Sequence, residues 1–408
     1  MLKRIAPEQL RLGMYIQEIP GPWMSHPFWR GSFKLEKYED LKTLRSAKIH
    51  EILIDTTKGR DIVVEDEPKP AAVAADKPEP SPGRPVPAKI AVRVGAEEER
   101  VNAARVLTSS KKAIMTMFHE TRLGKAVDLK QAMPLVEEIT TSVSRNSGAL
   151  ISLARLKTAD DYTYMHSVAV CALMIALGHQ LGLPPEETRQ AGLAGLLHDI
   201  GKMAVPADIL NKPGKLTDDE FTSVKKHTEA GHAILRGVAG IGDAALDVSL
   251  HHHEKIDGSG YPFNLKGNQI SLVAKMGAVC DVYDAITSNR PYKPGWEPGH
   301  SIKRMANNQG HFDETILEAF IKSVGIFPTG SCVLMQSGKV GIIIDQHPGS
   351  LLTPKVKVFF SATAMSTIPI EIIDLATTRS GDRIASYADP AKLNLPNLET
   401  IWASASLS

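Results

Sequence analysis

The sequence predicts a multidomain chain with an all-α bundle at residues 157–325, a small α+β domain in front and a small β module behind. Three observations carry that reading. Residues 157–325 run as successive helical patterns broken by loops containing LGLPPEE, NKPGKLT and DGSGYP, without strand alternation. Residues 67–88 are rich in Pro and Ala and nearly devoid of large apolar side chains, so they cannot bury a core. After Phe327 the pattern changes to short alternating or β-branched runs, SCVLM, KVGIIID, KVKVFF and IEIID, separated by SG, HPG and TP turns.

Taken in order, residues 1–66 combine the strand candidates MYI, EILI and DIVV with a helix from Leu35 to Lys48 and a loop, WMSHPFWRG, read as packed structure. Residues 67–95 are expected to be an extended linker. Residues 96–156 carry apolar positions at helical spacing and predict one or two connecting helices, interrupted only at Pro134. The bundle follows at 157–325, and residues 326–408 form the β module with a polar tail to which no structure is assigned. The 408 residues suit two or three units at about 100–200 residues per domain.

Composition narrows the function classes. With 43% apolar and 23% charged residues the chain has material for globular cores. A net charge of +1 provides no bulk field for nucleic acid or an anionic membrane, so an anionic ligand must be met by local charge. Cys171, Cys280 and Cys332 are far apart and form no CxxC pair, which speaks against a disulfide framework and a thiolate zinc site. The N-terminus lacks the apolar core of a signal peptide, and the longest apolar stretch, Val168 to Leu177, is far shorter than a membrane span. A cytoplasmic, soluble protein is expected.

The chemistry-bearing residues lie in the bundle: His166, His198, Asp199, His227, His252, His253 and Asp281. Helical phase turns them inward. His166 shares a stripe with Val170, Leu173 and Leu177, and His227 continues a stripe of Phe221, Val224, Gly231 and Leu235. Asp281 lies on a face with Ala274, Ala278, Ala285 and Asp284, while His198 and Asp199 sit in the apolar segment AGLAGLLHDIG, which reads as buried on every side. A buried unpaired carboxylate costs several kcal/mol, so inward Asp beside inward His calls for a cation. Imidazole and carboxylate donors suit iron, manganese, zinc or nickel. Asp199 could bridge two ions about 3.5–4 Å apart, the spacing that clamps a phosphoryl group. A single inward His is usually an ordinary core residue; convergence argues otherwise here. His26, His119, His179, His232, His300 and His311 keep the ordinary reading, and Asp284 is a core residue or a support for the ligands. Lys202 is a helix-end cation or, facing the cluster, a neutraliser of phosphate.

The run HDIGK (198–202), then KPGKLTDDEF, His227, HHEKIDGSGYP (252–262) and DVYDAITSNRPYK (281–293) resembles the HD-GYP branch of the HD phosphohydrolases over roughly residues 150–325. The resemblance implies an HD-type helical bundle that hydrolyses cyclic di-GMP to linear pGpG, with slow further conversion to GMP. Attack would come from a metal-bridging hydroxide in line with the departing 3′-oxygen. It implies two divalent ions, iron or manganese ahead of zinc or nickel, held by His166, His198, Asp199, His227, His252, His253 and Asp281. Catalysis would fall to Asp199 and Lys202, and phosphate contact to Lys202, Arg290 and Lys293. Gly260, Tyr261 and Pro262 would form a loop beside the substrate cleft, a contact point for a diguanylate cyclase or other signalling proteins. No nucleic acid or membrane partner is implied, and a homodimer stays open. The family has members with a Glu one turn before the first ligand His that helps hold a third ion; here that position is Tyr162, which implies two ions and mostly pGpG as product. A cyclic di-GMP receptor with little turnover is the rival reading. LRLGMYI, WMSHPFWRG and EILIDTTKG resemble an uncharacterised domain often fused ahead of HD-GYP domains.

Overall fold

The computed structural model describes residues 2–19, 32–36, 38–46, 51–61, 93–155, 162–210, 212, 214–288, 295–347, 350–378, 381–390, 392–395 and 398. The chain divides into two compact units, Met1–Ala91 and Val92–Ser408. The loop WMSHPFWRG, most of the DIVV candidate and the Pro/Ala-rich stretch up to Val92 lie outside the described residues.

In the first unit, strands β1 (Leu2–Ile5), β2 (Tyr15–Glu18), β3 (Phe33–Lys34) and β4 (Ile52–Asp55) form an antiparallel sheet of order β1-β4-β2-β3, with helix α1 at Tyr38–Ser46. Ile52 and Ile54, two apart on β4, enter one core with Met14, Ile16, Leu41 and Leu44, as period-two side-chain placement requires. The helix begins later than the expected Leu35. Leu35 stays extended because its N–H donates to the Met14 carbonyl (2.8 Å) and its own carbonyl accepts from Gly13 (2.7 Å), bonds that a helix would break.

The second unit opens with α2 (Ala96–Arg122) and α3 (Leu129–Ala154), packed together. Buried Glu99 on α2 accepts from Ser142 (2.7 Å) and Arg145 (2.5 Å) on α3, so its charge is paired where it is desolvated. Pro134 does not interrupt α3: it is exposed, and the helix runs through it. The break comes at Asn146, whose backbone leaves helical geometry (φ −162°, ψ 101°). Its Oδ1 accepts from the Ala149 N–H (3.2 Å) while its amide donates to Val94 and Asp345 (both 3.1 Å). A polar side chain that caps locally competes with the helix ladder.

Helix α4 (Tyr162–Leu181) is the hub against which α2, α3, α5 (Pro185–Leu197), α10 (Leu272–Thr287) and α12 (Glu314–Val324) pack. Its segment Thr163–Leu181 is long and apolar enough to cross a bilayer by length and composition, yet 78% of it is buried inside this unit. A 3-10 turn at Ile200–Ala204 follows α5, and then come α6 (Ala207–Leu210), α7 (Asp218–Lys225), α8 (His227–Arg236), α9 (Asp243–His251) and, after α10, α11 (Pro298–Asn307). The stripe expected from Phe221 through His227 is broken. The chain changes helix at Lys226, Phe221 is 49% exposed, and the inward face starts at His227. Among the described residues between Tyr162 and Val324, every regular element is helical.

The unit ends in an antiparallel sheet of order β8-β7-β6-β5-β9, built from β5 (Cys332–Met335), β6 (Lys339–His347), β7 (Ser350–Ser361), β8 (Ser366–Asp374) and β9 (Ile384–Tyr387). Strand β9 lies in the tail that sequence patterning left unassigned. It pairs with β5 through IASY, a run too short and too polar to show alternation.

One backbone contact sets the distance between the α5 end and α8. A Cβ at Gly201 would lie 1.9 Å from the His227 carbonyl oxygen and 2.4 Å from the Gly231 nitrogen. Gly201→Ala is therefore expected to destabilise the chain by about 1–3 kcal/mol, the cost of overpacking, and to lower its bound metal by moving His227 from Asp199. A thermal melt and metal analysis of the purified variant check both effects.

Candidate metal centre

Seven predicted ligands arrive from five places: His166 from the second turn of α4, His198 and Asp199 from the end of α5, His227 from the start of α8, His252 and His253 from the turn after α9, and Asp281 from α10. The structure brings all seven together. His166, His198, Asp199, His227 and His252 are at most 2% exposed, and Asp281 is 7% exposed.

The two oxygens of Asp199 face different histidines. Oδ1 lies 3.4 Å from His227 Nε2 and 3.9 Å from His252 Nε2. Oδ2 lies 3.3 Å from His198 Nε2 and 3.6 Å from His166 Nε2. Asp281 joins the second group through Oδ1, 2.9 Å from His166 Nε2, and its Oδ2 lies 3.9 Å from His253 Nδ1. The groups His227/His252/His253 and His166/His198/Asp199 each have the donor spacing to hold a metal ion.

Each inward Nε2 is left a lone pair by what its Nδ1 does. Nδ1 of His198 pairs with the Gly195 carbonyl (2.8 Å), that of His227 with Val224 (2.7 Å) and that of His252 with Val248 (2.8 Å). A carbonyl only accepts, so in each ring the proton sits on Nδ1 and Nε2 is the free donor atom. His166 Nδ1 meets the Asp284 carboxylate at 2.6 Å. Burial reinforces neutrality, pushing the His253 pKa down to about 3 and lowering those of His227 and His252. Asp199 and Asp281 go the other way. Burial favours their neutral acids, but Lys202 and His198 beside Asp199, and His166 beside Asp281, hold both carboxyls well below the usual range. His198 is raised: burial depresses it, and the charges of Asp199 and Asp281 outweigh that. Two buried carboxylates thus demand positive charge, and among the described residues the buried Nε2 of His198 and Oδ1 of Asp199 have no hydrogen-bond partner. Divalent cations fit that donor set.

Lys202, one turn on, places its ammonium 2.5 Å from Asp199 Oδ2 and is 23% exposed, so it borders both the centre and solvent. Tyr261 stacks on His253 with ring centroids 4.7 Å apart, and its N–H donates to the His253 carbonyl. Gly260 is buried where a Cβ would come within 2.4–2.6 Å of backbone atoms of Lys255, Glu254 and His253, so the GYP turn packs directly on the ligand strand. Pro262 follows it through a cis peptide. Arg290 and Lys293 lie outside the described residues. One contributor carried no signal in sequence: Glu254, 2% exposed, accepts from the N–H groups of Phe263 (2.7 Å) and Leu265 (3.0 Å). Asp284, read from the sequence as a core residue or a support for the ligands, takes the supporting place and orients His166. Asp284 shared the Asp281 face, the one clue available.

The helical bundle and its His/Asp cluster define an HD-domain hydrolase. The family model described as HD domain matches residues 140–316, and the one described as a domain of unknown function (DUF3391) matches residues 2–132. A curated cyclic di-GMP phosphodiesterase of Pseudomonas aeruginosa is 52% identical over 405 residues, covering 98% of this chain and 96% of the relative. The cyclic di-GMP phosphodiesterase response regulator RpfG of Xanthomonas campestris is 34% identical over 259 residues, 59% of this chain and 68% of its own. A 3′3′-cGAMP-specific phosphodiesterase of Vibrio cholerae is 32% identical over 210 residues, 51% of this chain and 44% of its own. The chain belongs to the family of HD-domain cyclic di-GMP phosphodiesterases.

Asp284 meets the centre through His166 Nδ1. Asp284→Ala is expected to weaken metal affinity by about 10–100-fold, as for other carboxylates behind a ligand His, with the helical fold retained. Competition against a chelator of known affinity, alongside circular dichroism, measures this.

Proposed function

We propose that this chain hydrolyses cyclic di-GMP to linear pGpG at the His/Asp centre, and that it does so in the cytoplasm with two divalent ions bound, iron or manganese. The observation that supports this reading best is the Asp199 carboxylate, with one oxygen toward each histidine group. His166, His198 and Asp281 would hold one ion, His227, His252 and His253 the other, and Asp199 both. Bound there, the ions supply Lewis acidity, lowering the pKa of water and drawing charge from a phosphoryl group.

The chain's own residues do the rest. The Nδ1 partners of His198, His227 and His252 aim those imidazoles with Nε2 toward the centre before any ion arrives, so little reorganisation is needed on binding. Lys202 borders the solvent-facing side of the centre, where its charge can take up a non-bridging phosphate oxygen. Arg290 offers a bidentate fork for a second phosphate and Lys293 a point charge. Tyr261 presents an aromatic face at the cleft, suited to a guanine. Tyr162, one turn before His166, has no carboxylate for a third ion, so a terminal phosphate is held weakly and pGpG leaves before it is cut.

The full chain, purified without oxygen and loaded with Fe(II) or Mn(II), is expected to hydrolyse cyclic di-GMP faster than 3′3′-cGAMP. pGpG should accumulate well ahead of GMP on chromatography. Asp199→Ala should abolish turnover and lower bound metal, while Arg290→Ala should weaken substrate binding with metal content unchanged. A fully loaded chain that binds cyclic di-GMP and leaves it intact would assign it the receptor role instead, and rapid release of GMP alone would sink the two-ion argument.

A further inference from the structure

Away from the metal centre, α3, α4, α10, α12 and the C-terminal sheet enclose a cavity of about 220 Å³. Among the described residues its lining includes four basic side chains, Arg93, Arg155, Lys322 and His347, and no carboxylate. Two of these cations are already paired: Arg93 with Asp345 (3.6 Å) and Lys322 with Glu318 (2.8 Å). Arg155 is different. Its guanidinium donates to the Thr329 carbonyl (3.2 Å) and lies at the Tyr283 hydroxyl, and no described carboxylate pairs with it. Thr329 lines the cavity and is 6% exposed, and its buried hydroxyl has no hydrogen-bond partner among the described residues.

A guanidinium and a buried hydroxyl that find no counter-charge and no acceptor among the described residues, in one basic cavity, are complementary to an oxyanion. The volume limits its size. Pockets for drug-sized molecules run to about 300–1,000 Å³, so this one suits a phosphate group and excludes a whole cyclic dinucleotide. We propose that the cavity is a second, non-catalytic site that binds a phosphate group, either free phosphate or the terminal phosphate of a mononucleotide. Arg155 grips it as a planar fork and the Thr329 hydroxyl donates beside it.

The test is calorimetric titration of the metal-loaded full chain with inorganic phosphate and, separately, with GMP. It compares the unmodified protein with Arg155→Lys, which keeps the charge and loses the fork, and Thr329→Val, which keeps the shape and loses the hydroxyl. Neither residue belongs to the metal centre, so both variants should retain cyclic di-GMP hydrolysis. One binding event should weaken in both by about 10–100-fold, the loss of a charge-assisted hydrogen bond. If GMP competes for that event, the source is a mononucleotide; if phosphate alone binds, it is the free ion. Isotherms that superimpose for all three proteins would overturn the proposal, since every phosphate would then bind at the metal centre.

Discussion

The buried carboxylate of Asp199 is the constraint around which the second unit is arranged. It is wholly excluded from water, and it ionises only because Lys202 and His198 are beside it and outweigh the burial. Such a charge is tolerated when it is compensated from both sides, and its two oxygens look toward separate histidine groups. That requirement reaches back into the packing. The end of α5 must lie against α4 to bring His198 to His166, and the Ile200–Ala204 turn must touch α8 at Gly201 to bring His227 within reach.

Helix ends explain how the imidazoles are aimed. His198, His227 and His252 each follow or close a helix, and each directs Nδ1 at a carbonyl of that helix's last turn, Gly195, Val224 or Val248. Last-turn carbonyls have acceptor capacity that helix interiors do not. His166 sits inside α4, one turn past its start, where the preceding carbonyls are taken up by the backbone ladder. It therefore needs a side-chain acceptor, and Asp284 on the neighbouring α10 supplies it. His166 thus takes from a neighbouring helix the Nδ1 acceptor that its own helix could not supply.

The same distinction separates what the sequence revealed from what it hid. The inward phase of His166 and Asp281, the burial of AGLAGLLHDIG and the all-helical stretch were readable because apolar periodicity records which face is buried. The HD and HH pairs marked sites where one backbone position feeds two donors. The features that escaped depend on contacts between elements. The start of α8 at His227 is where the Ile200–Ala204 turn touches it through Gly201, and the α3 break at Asn146 goes with bonds to Val94 and Asp345, the latter 199 residues away. Pro134 drew attention because proline removes a donor, yet at an exposed position early in a helix the loss of one bond is small beside the packing that holds it.

The HHE run shows how the centre and the neighbouring loop share one piece of backbone. His252 and His253 face the metal groups, and Glu254, the next residue, turns away and accepts two N–H groups from the far side of the GYP turn. Gly260 lets that turn lie against the backbone of His253 and Glu254, and Tyr261 closes over the His253 ring. Nothing with a Cβ fits at Gly260 without pushing the turn away, and nothing without an acceptor pair at Glu254 would hold Phe263 and Leu265. The loop is thus indexed to a ligand by backbone contact, so the aromatic face of Tyr261 keeps a fixed distance from the centre.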